Sequence, residues 1–314
     1  MWLVNYVPTE TKFGFMPFRR VAFPFSAIAS VLSVVLFFAW GMNFGIDFKG
    51  GTLIEMQAKA GQADIASIRE RADALKIGEV EVQQFGTPRD VSLRVELQPG
   101  GESAQQAVVN RLRETFAADY ELRRVEVVGP RVSGELVQSG ILGVVFAILG
   151  VLIYLWFRFE WQFAIGAVIA TLHDIVLTIG FFALTQIEFN MTSIAAILTI
   201  IGYSLNDTVV VYDRVREVLR KYKRLAPFDI IDLSINSTLS RTLITGVSTF
   251  LVLVALGVFG GQVIKSFAYA MLFGLVVGTY SSVFVAAPIL IYLGLRPGGE
   301  TDTAVDARIA QPAE

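Results

Sequence analysis

Four ionisable side chains lie within apolar segments of this chain or at the end of one: His173, Asp174, Asp207 and Arg241. A charged side chain in hydrocarbon is costly, so each must be neutral, paired, or facing a water-filled path. Acids placed in this way are typical of proton and ion pathways through membranes. The sequence therefore predicts transport of a proton or an ion, and it does not predict an enzyme.

Asp207 and Arg241 fall near the same end of consecutive apolar segments. Asp207 is expected about five residues from the end of its span, roughly 7 Å deep at the rise of a helix. Arg241 is expected at a matching depth on a neighbouring helix. A structural ion pair, or an arginine that extends to the headgroups, is the alternative interpretation of Arg241. A carboxylate side chain is too short to extend in this way, so Asp207 is the stronger pathway candidate.

His173 and Asp174 are adjacent near the middle of the third apolar segment. Consecutive helical residues point about 100° apart, so the two side chains are not expected to share one narrow face. Asp174 is the costlier residue to bury and is therefore the second pathway candidate. His173 suits a proton relay, and it equally suits a packed imidazole bonded to a neighbouring group. With a single histidine and no cysteine, neither a metal site nor a cofactor is predicted.

Two pairs of glycines have structural interpretations. Gly50 and Gly51 follow Asp47, but they lack the Gly-Lys-Ser/Thr pattern of a phosphate loop. A tight turn or hinge outside the membrane is therefore predicted there.

Gly274 and Gly278 form a small-residue face in the last apolar segment, and such faces let helices approach closely. The partner helix on that face belongs either to this chain or to another protein.

The composition is that of a membrane protein. Of the 314 residues, 54% are hydrophobic and only 17% are charged. Soluble domains carry about a quarter charged residues, so the apolar excess must be concentrated in spans of ~20 residues. Six segments fit: residues 21–41, 137–157, 163–184, 191–212, 243–260 and 267–293.

Basic residues set the expected orientation. They are concentrated before the first span and in the segment 213–242, which is expected to be a basic loop. Positive residues mark the cytoplasmic side, so residues 1–20 and both termini are expected in the cytoplasm of a multi-pass membrane protein. Residues 42–136 are then exterior. Residues 294–314 are expected to form a disordered cytoplasmic tail.

The exterior block alternates between strand and helix patterns. Period-two patterns indicate strands near 51–57, 79–85, 91–97 and 121–128, and helical periodicity indicates helices near 63–76 and 103–117. The order β-α-β-β-α-β is the ferredoxin-like plan. The predicted fold class is an α-helical integral membrane protein with six transmembrane helices and one exterior α+β ferredoxin-like domain.

Five motifs carry a resemblance to a known family. They are Gly45–Gly51 (GIDFKGG), Val128–Ser133 (VGPRVS), Leu172–Asp174 (LHD), Gly202–Asp207 (GYSLND) and Ser240–Leu243 (SRTL). In this order, over roughly residues 14–295, they resemble the SecF proteins of the SecD/SecF protein-export family. That family lies within the resistance-nodulation-division superfamily of proton-coupled transporters. Any one of these motifs alone would be a weak signal.

The resemblance implies a subunit in the bacterial inner membrane that pairs with SecD beside the SecYEG translocon, with residues 42–136 in the periplasm. It would use the proton-motive force to help draw an exported, unfolded polypeptide out of the lipid bilayer, with YajC as a further candidate partner and no nucleic acid. The resemblance also associates Asp207 and Arg241 with proton transport. Half of a small-molecule exporter of the same superfamily is the alternative. An intramembrane aspartic protease is disfavoured, because Asp174 and Asp207 are estimated to differ by about 10 Å in depth.

The predicted orientation can be tested with single cysteines, because the native chain has none. A membrane-impermeant thiol reagent added to intact cells should label Gln106→Cys, in the exterior block. The same reagent should label Lys221→Cys, in the basic segment, only after the membrane is opened. Labelling of Lys221→Cys without labelling of Gln106→Cys would show that the orientation is the reverse.

Overall fold

The computed structural model describes residues 11–295, except for the side chains of residues 261–263. Six helices are long and apolar enough to cross a membrane, and one four-stranded sheet is also present. These elements confirm the predicted class of a six-helix membrane protein with a small α+β domain. The predicted tail lies outside the described residues from residue 296 onward, as do residues 1–10 of the N-terminal segment.

The elements are numbered in chain order. The helices are α1 (Arg19–Trp40), α2 (Ile46–Lys49), α3 (Ile65–Ala74), α4 (Gly101–Phe116), α5 (Pro130–Arg158), α6 (Trp161–Thr185), α7 (Met191–Lys221), α8 (Pro227–Phe259), α9 (Gly261–Ser281) and α10 (Ala287–Tyr292). The strands are β1 (Gly51–Ala58), β2 (Val80–Gln84), β3 (Asp90–Val95) and β4 (Tyr120–Val128). A π-helical segment, Ser282–Ala286, joins α9 to α10.

The α+β domain lies between α1 and α5 in sequence and folds around one sheet. Its strands pair antiparallel in the order β2-β3-β1-β4. Alternate strand residues such as Ile54, Met56 and Leu93 are fully buried, and they share a core with Leu112 and Phe116 of α4. The period-two pattern in the sequence therefore corresponds to one covered face of the sheet. The opposite face carries polar and charged residues.

Three of the six long helices form the centre of the bundle. In the most apolar stretch of each, 56% of residues are buried for α6, 50% for α7 and 72% for the continuous helix Ile264–Tyr292, which includes most of α9 and all of α10. The corresponding fractions are only 17% for the N-terminal helix, Met16–Trp40, which includes α1, 11% for α5 and 17% for α8. Long apolar helices that are this exposed need lipid or another protein chain against them.

Small residues bring the central helices close together. A Cβ atom added at Gly274 of α9 would lie 2.4 Å from two side-chain carbons of Ile200, and one at Gly278 would lie 3.0 Å from the Cβ of Ser204. Both contacts are with α7. The small-residue face predicted in the last span therefore packs against a helix of this same chain.

The segment expected to be a basic loop, residues 213–242, is almost entirely helical. Helix α7 continues to Lys221 and α8 begins at Pro227, so the connection is residues 222–226. The hydrophobicity criterion missed these extensions because they are amphipathic: Val215 and Ile231 are fully buried while charged residues face outward. A helix of 31 residues is about 46 Å long, which exceeds the ~30 Å hydrocarbon core. Both helices are therefore long enough to extend beyond a membrane at this end.

The close approach of α9 to α7 can be tested at Gly274. Replacement by leucine places side-chain atoms where Ile200 lies, and overpacking of this kind costs about 1–3 kcal/mol of stability. Thermal unfolding of purified Gly274→Leu in detergent should therefore occur at lower temperature than unfolding of the wild-type protein.

Two variants serve as controls for this measurement. Gly143→Leu, on α5, meets no atom within 4 Å of its Cβ position and should leave the unfolding temperature unchanged. Adding Ile200→Ala to Gly274→Leu should restore part of the lost stability. Equal destabilisation by Gly143→Leu and Gly274→Leu would contradict the packing shown by the structure.

Candidate functional site

The carboxyl group of Asp174 joins the three central helices. Asp174 is 1% exposed on α6. Its Oδ2 atom accepts hydrogen bonds from the Ser204 hydroxyl of α7 at 2.5 Å and from the Ser281 hydroxyl of α9 at 2.7 Å. A buried carboxyl group needs such donors, because water is not available to it. The small residues that let α9 approach α7 bring the two serines within reach.

His173 shares this site with Asp174, and the prediction that their side chains face different directions is wrong. The Nδ1 atom of His173 lies 2.9 Å from Asp174 Oδ1. The 100° separation applies to the Cα–Cβ directions, and rotation about the side-chain bonds brings the imidazole back to its neighbour. The second ring nitrogen, Nε2, is buried and has no hydrogen-bond partner among the described residues. The ring packs near Tyr280, with the two ring centroids 6.4 Å apart.

Asp207 is the second buried acid, and one of its oxygens is unpartnered. It is 3% exposed on α7, and its Oδ2 atom has no hydrogen-bond partner in the described part of the chain. The Arg241 charge of α8 and the Thr279 hydroxyl of α9 are close enough to influence its carboxyl. Arg241 itself is exposed, and no nitrogen of Arg241 lies within 4.0 Å of an Asp207 oxygen among the described residues. The structure therefore places the two residues as electrostatic neighbours rather than as a contact ion pair.

The estimated difference in depth between the two acids is also wrong. Asp174 is level with Ser204, which donates to it, and Asp207 follows Ser204 by three residues on the same helix. Three residues correspond to about 4.5 Å along a helix axis, less than half of the 10 Å expected. The estimate failed because α7 continues well past Tyr212, where the span was expected to end. The smaller difference in depth does not favour the protease alternative, because Asp174 is bonded to hydroxyl groups and an imidazole rather than to a second carboxyl.

These groups form a buried polar track between α6, α7 and α9, made of His173, Asp174, Ser204 and Asp207 with Ser281 beside them. Both oxygens of Asp174 are bonded, whereas one oxygen of Asp207 and one nitrogen of His173 are not. A buried polar atom without a partner costs about 1–3 kcal/mol. Such atoms are places where a proton or a water molecule can bind.

The two serines were not predicted as site residues. Ser204 belongs to a motif noted for Asp207, and its spacing of three residues from that acid puts both on one face of the helix. Ser281 belongs to the small-residue face that begins at Gly274. Their positions were visible in the sequence, but their partner, Asp174, is 30 and 107 residues away along the chain.

A second group of contacts joins the α+β domain to the start of α7. The Asp47 side chain of α2 accepts a hydrogen bond from the backbone N–H of Met191, the first residue of α7, at 2.9 Å. Such a carboxylate also stabilises a helix N-terminus electrostatically. Gly50 and Gly51 have φ angles of 72° and 122°, which favour glycine. They lead the chain from α2 into β1 without displacing Asp47.

Sequence reasoning missed the ion pair that completes this junction. Arg94 of β3 pairs with Glu188, in the link between α6 and α7, at 2.7 Å, and its side chain is only 12% exposed. Arg94 also donates to the Asn43 side chain at 3.0 Å. In addition, Gly45 and Phe189 make a backbone hydrogen bond of 2.9 Å. No local pattern indicates these pairings, because the partners come from separate segments.

The open face of the sheet covers this junction and leaves a cleft of about 520 Å³ between the domain and the bundle. Glu55 of β1 lies in the cleft, 3.6 Å from Arg124 of β4. Burial raises the pKa of the Glu55 carboxyl, and the Arg124 charge opposes that shift. The cleft is thus polar and partly charged, unlike the apolar face on the other side of the sheet.

Comparison with known proteins agrees with this architecture. Residues 107–296 match the family described as "Protein export membrane protein SecD/SecF, C-terminal", and residues 35–61 match the "SecD/SecF GG Motif". The protein translocase subunit SecF of Rickettsia prowazekii is 44% identical over 299 residues, which cover 93% of this chain and 94% of that protein. The protein translocase subunit SecDF of Brucella abortus is 50% identical over 310 residues, 98% of this chain.

Solved structures show the same relationship. The crystal structure of SecDF from Thermus thermophilus, a translocon-associated membrane protein, superposes with a TM-score of 0.81 at 31% identity over 93% of this chain. This chain spans 41% of the Brucella SecDF protein and 39% of the Thermus SecDF chain. The match includes both the helical bundle and the α+β domain. The chain described here belongs to the SecD/SecF family of protein-export membrane proteins.

Proposed function

We propose that this chain is the SecF-type subunit of a protein translocase. In this role it uses the proton-motive force to assist SecYEG-dependent export across the inner membrane. The observation that carries the proposal is the buried polar track, in which both oxygens of Asp174 accept hydrogen bonds and one oxygen of Asp207 has no hydrogen-bond donor. A bundle that served only as an anchor would not need two buried acids at its centre. Its relatives are named as protein translocase subunits, which supports a role in protein export.

A SecD subunit is the proposed partner. The matched SecDF proteins are more than twice as long as this chain, as the coverage of 41% and 39% indicates. The exposed apolar surfaces of α1, α5 and α8 offer a large area for another membrane protein. SecYEG, YajC and the exported polypeptide are proposed as further partners from the family relationship. Both termini are proposed to be cytoplasmic and the α+β domain periplasmic.

Asp207 is the proposed proton carrier, because its Oδ2 atom has no hydrogen-bond donor. A proton that binds there removes the charge facing Arg241 and thereby changes the attraction between α7 and α8. Ser204, one turn before Asp207, bonds to Asp174 and so connects the carrier to the rest of the track. His173 is proposed to stabilise the charge of Asp174 or to pass on a proton.

The energy available per proton limits what one step can do. One elementary charge that crosses ~100 mV yields about 2.3 kcal/mol. That energy biases an equilibrium between two conformations roughly fifty-fold. It does not move a polypeptide far in one step, so the mechanism requires repeated cycles.

Helix α7 is the proposed link between the proton and the domain. The helix carries Asp207 in its middle, and its first residue is bonded to Asp47. The Arg94–Glu188 ion pair holds the domain to the link just before α7. A shift of α7 on protonation therefore reaches the sheet directly.

The carrier can be tested by replacing each charged residue with a neutral one of similar shape. Asp207→Asn cannot ionise and should abolish the part of translocation that depends on the proton-motive force, measured in vesicles that also contain SecD and SecYEG. Arg241→Met should have much the same effect. Asp229→Asn, an exposed acid at the start of α8, is the matched control and should be fully active.

Asp174→Asn separates the two possible carriers. If Asp207→Asn translocates as well as the wild type while Asp174→Asn is inactive, the carrier is Asp174. Asp207 would then have only a structural role beside Arg241. Membrane insertion and association with SecD should be normal in Asp207→Asn and Asp174→Asn, because both acids are buried inside the bundle and do not face a partner chain.

The link through α7 can be tested at Glu188. Glu188→Ala removes the contact between Arg94 and the α6–α7 connection but leaves the Arg94–Glu81 pair of 3.1 Å in place. Translocation driven by the proton-motive force should fall by about tenfold, equivalent to about 1.4 kcal/mol of lost coupling. Proton uptake by the vesicles should persist.

Asp119→Ala is the matched control, because it breaks the Arg71–Asp119 ion pair within the α+β domain and leaves the junction intact. It should translocate like the wild type. Wild-type activity of Glu188→Ala would mean that the domain and the bundle communicate by another route.

A further inference from the structure

A cationic cleft lies at the end of the molecule away from the α+β domain. It opens between the C-terminal end of α5 and the last turns of α7, with a volume of about 670 Å³. Six charged residues line it: Arg158, Asp213, Arg216, Glu217, Arg220 and Lys221. None of these residues belongs to the buried polar track.

The acids of this cleft are already neutralised by arginines. Asp213 binds Arg158, with both carboxylate oxygens 2.7 Å from one guanidinium nitrogen. Glu217 pairs with Arg214 at 2.5 Å. In contrast, neither Arg220 nor Lys221 has a carboxylate within 4.0 Å among the described residues. The cleft therefore retains a net positive charge after its internal ion pairs are counted.

Arg216 presents an incompletely bonded guanidinium to this cleft. Its Nη1 atom donates to the backbone carbonyl of Arg158 at 3.4 Å, and its Nη2 atom is 3.9 Å from Glu160. Its Nε donor is buried and has no acceptor in the described part of the chain. Arg216 and Arg220 are four residues apart, so they lie one above the other on the same face of α7. Guanidinium groups in such an arrangement suit the oxygens of a phosphate.

The surrounding aromatic residues indicate where this cleft lies relative to a membrane. Trp156 and Phe157, just before Arg158, are 76% and 86% exposed, and Trp161 is 55% exposed. Exposed tryptophans at the ends of spanning helices lie at the level of the lipid headgroups. Only 11% of the apolar stretch of α5 is buried. The cleft consequently lies at the level expected for the lipid headgroups.

We propose that this cleft binds the phosphate headgroup of an anionic membrane lipid. Arg216, Arg220 and Lys221 supply the donors, and Trp156 and Trp161 lie beside the acyl chains. Basic clefts between membrane helices bind anionic headgroups in this way. A lipid phosphate is favoured over a soluble anion because the exposed aromatic residues place the cleft in the headgroup layer. The cleft shares no residue with the proposed proton carrier.

Native mass spectrometry of the purified full-length chain tests this assignment. The protein is equilibrated in detergent micelles that contain equal amounts of phosphatidylglycerol and phosphatidylcholine. The wild-type protein should retain phosphatidylglycerol with a preference of about fivefold or more, a difference of about 1 kcal/mol. A triple variant, Arg216→Gln with Arg220→Gln and Lys221→Gln, should lose that preference.

A second triple variant separates a specific site from general surface charge. Arg20→Gln with Lys223→Gln and Arg224→Gln removes the same charge from exposed positions outside the cleft, and it should keep the wild-type preference. Equal loss of preference in both triple variants would overturn the proposal. Release of phosphatidylglycerol from the wild type by millimolar inorganic phosphate would also overturn it, in favour of a soluble anion. Thermal unfolding checks the fold of each variant, and the single variant Arg220→Gln, with an intermediate loss expected, replaces the triple variant if that does not fold.

Discussion

The need to bond one buried carboxyl group shapes the centre of this protein. Asp174 is surrounded by apolar helices, so its oxygens must find donors inside the bundle. The Ser204 and Ser281 hydroxyls supply them, and they reach it only because glycines let α9 approach α7 closely. The same contacts place Asp207 one turn away from the bonded acid. The close packing of the helices and the hydrogen bonds to Asp174 therefore depend on each other. Helices α6, α7 and α9 cannot separate without leaving this acid unpartnered.

Helix α7 connects the parts of this arrangement. Its first residue is bonded to Asp47, its middle carries Ser204 and Asp207, and its last turns line the cationic cleft with Arg216 and Arg220. At 31 residues it is longer than a bilayer requires. One rigid element thus joins the α+β domain, the buried acids and the opposite membrane surface. A helix transmits a displacement along its length with little loss, because its backbone is continuously hydrogen-bonded.

The peripheral helices contrast with this centre. The N-terminal helix, α5 and α8 bury less than a fifth of their most apolar stretches, so their outer faces need lipid or another subunit. Arg241 lies on one of them, exposed and yet close enough to Asp207 to interact with its charge. A partner chain at this surface would alter the surroundings of Arg241 and, through it, those of the acid. Assembly and proton binding would then be linked by ordinary electrostatics.

The sequence alone determined the class of this protein, because hydrophobic periodicity is a local property. Runs of apolar residues identified six spans, period-two and helical patterns identified the βαββαβ order, and ionisable residues inside apolar runs identified Asp174 and Asp207. The family resemblance followed from short motifs of the same local kind. The roles of Asp207, Arg241 and His173 in proton transport stay predictions.

Only the tertiary structure decided how these parts meet. The bonds from Ser204 and Ser281 to Asp174, and the pairing of Arg94 with Glu188, join residues far apart in the chain, for which no local pattern exists. The meeting of His173 with Asp174 depends on side-chain rotation, which helical periodicity does not describe. The relative depth of the two acids depended on where α7 ends, and its amphipathic extension was hidden from a criterion based on hydrophobicity. Local patterns specify the elements, whereas long-range contacts between side chains specify the site.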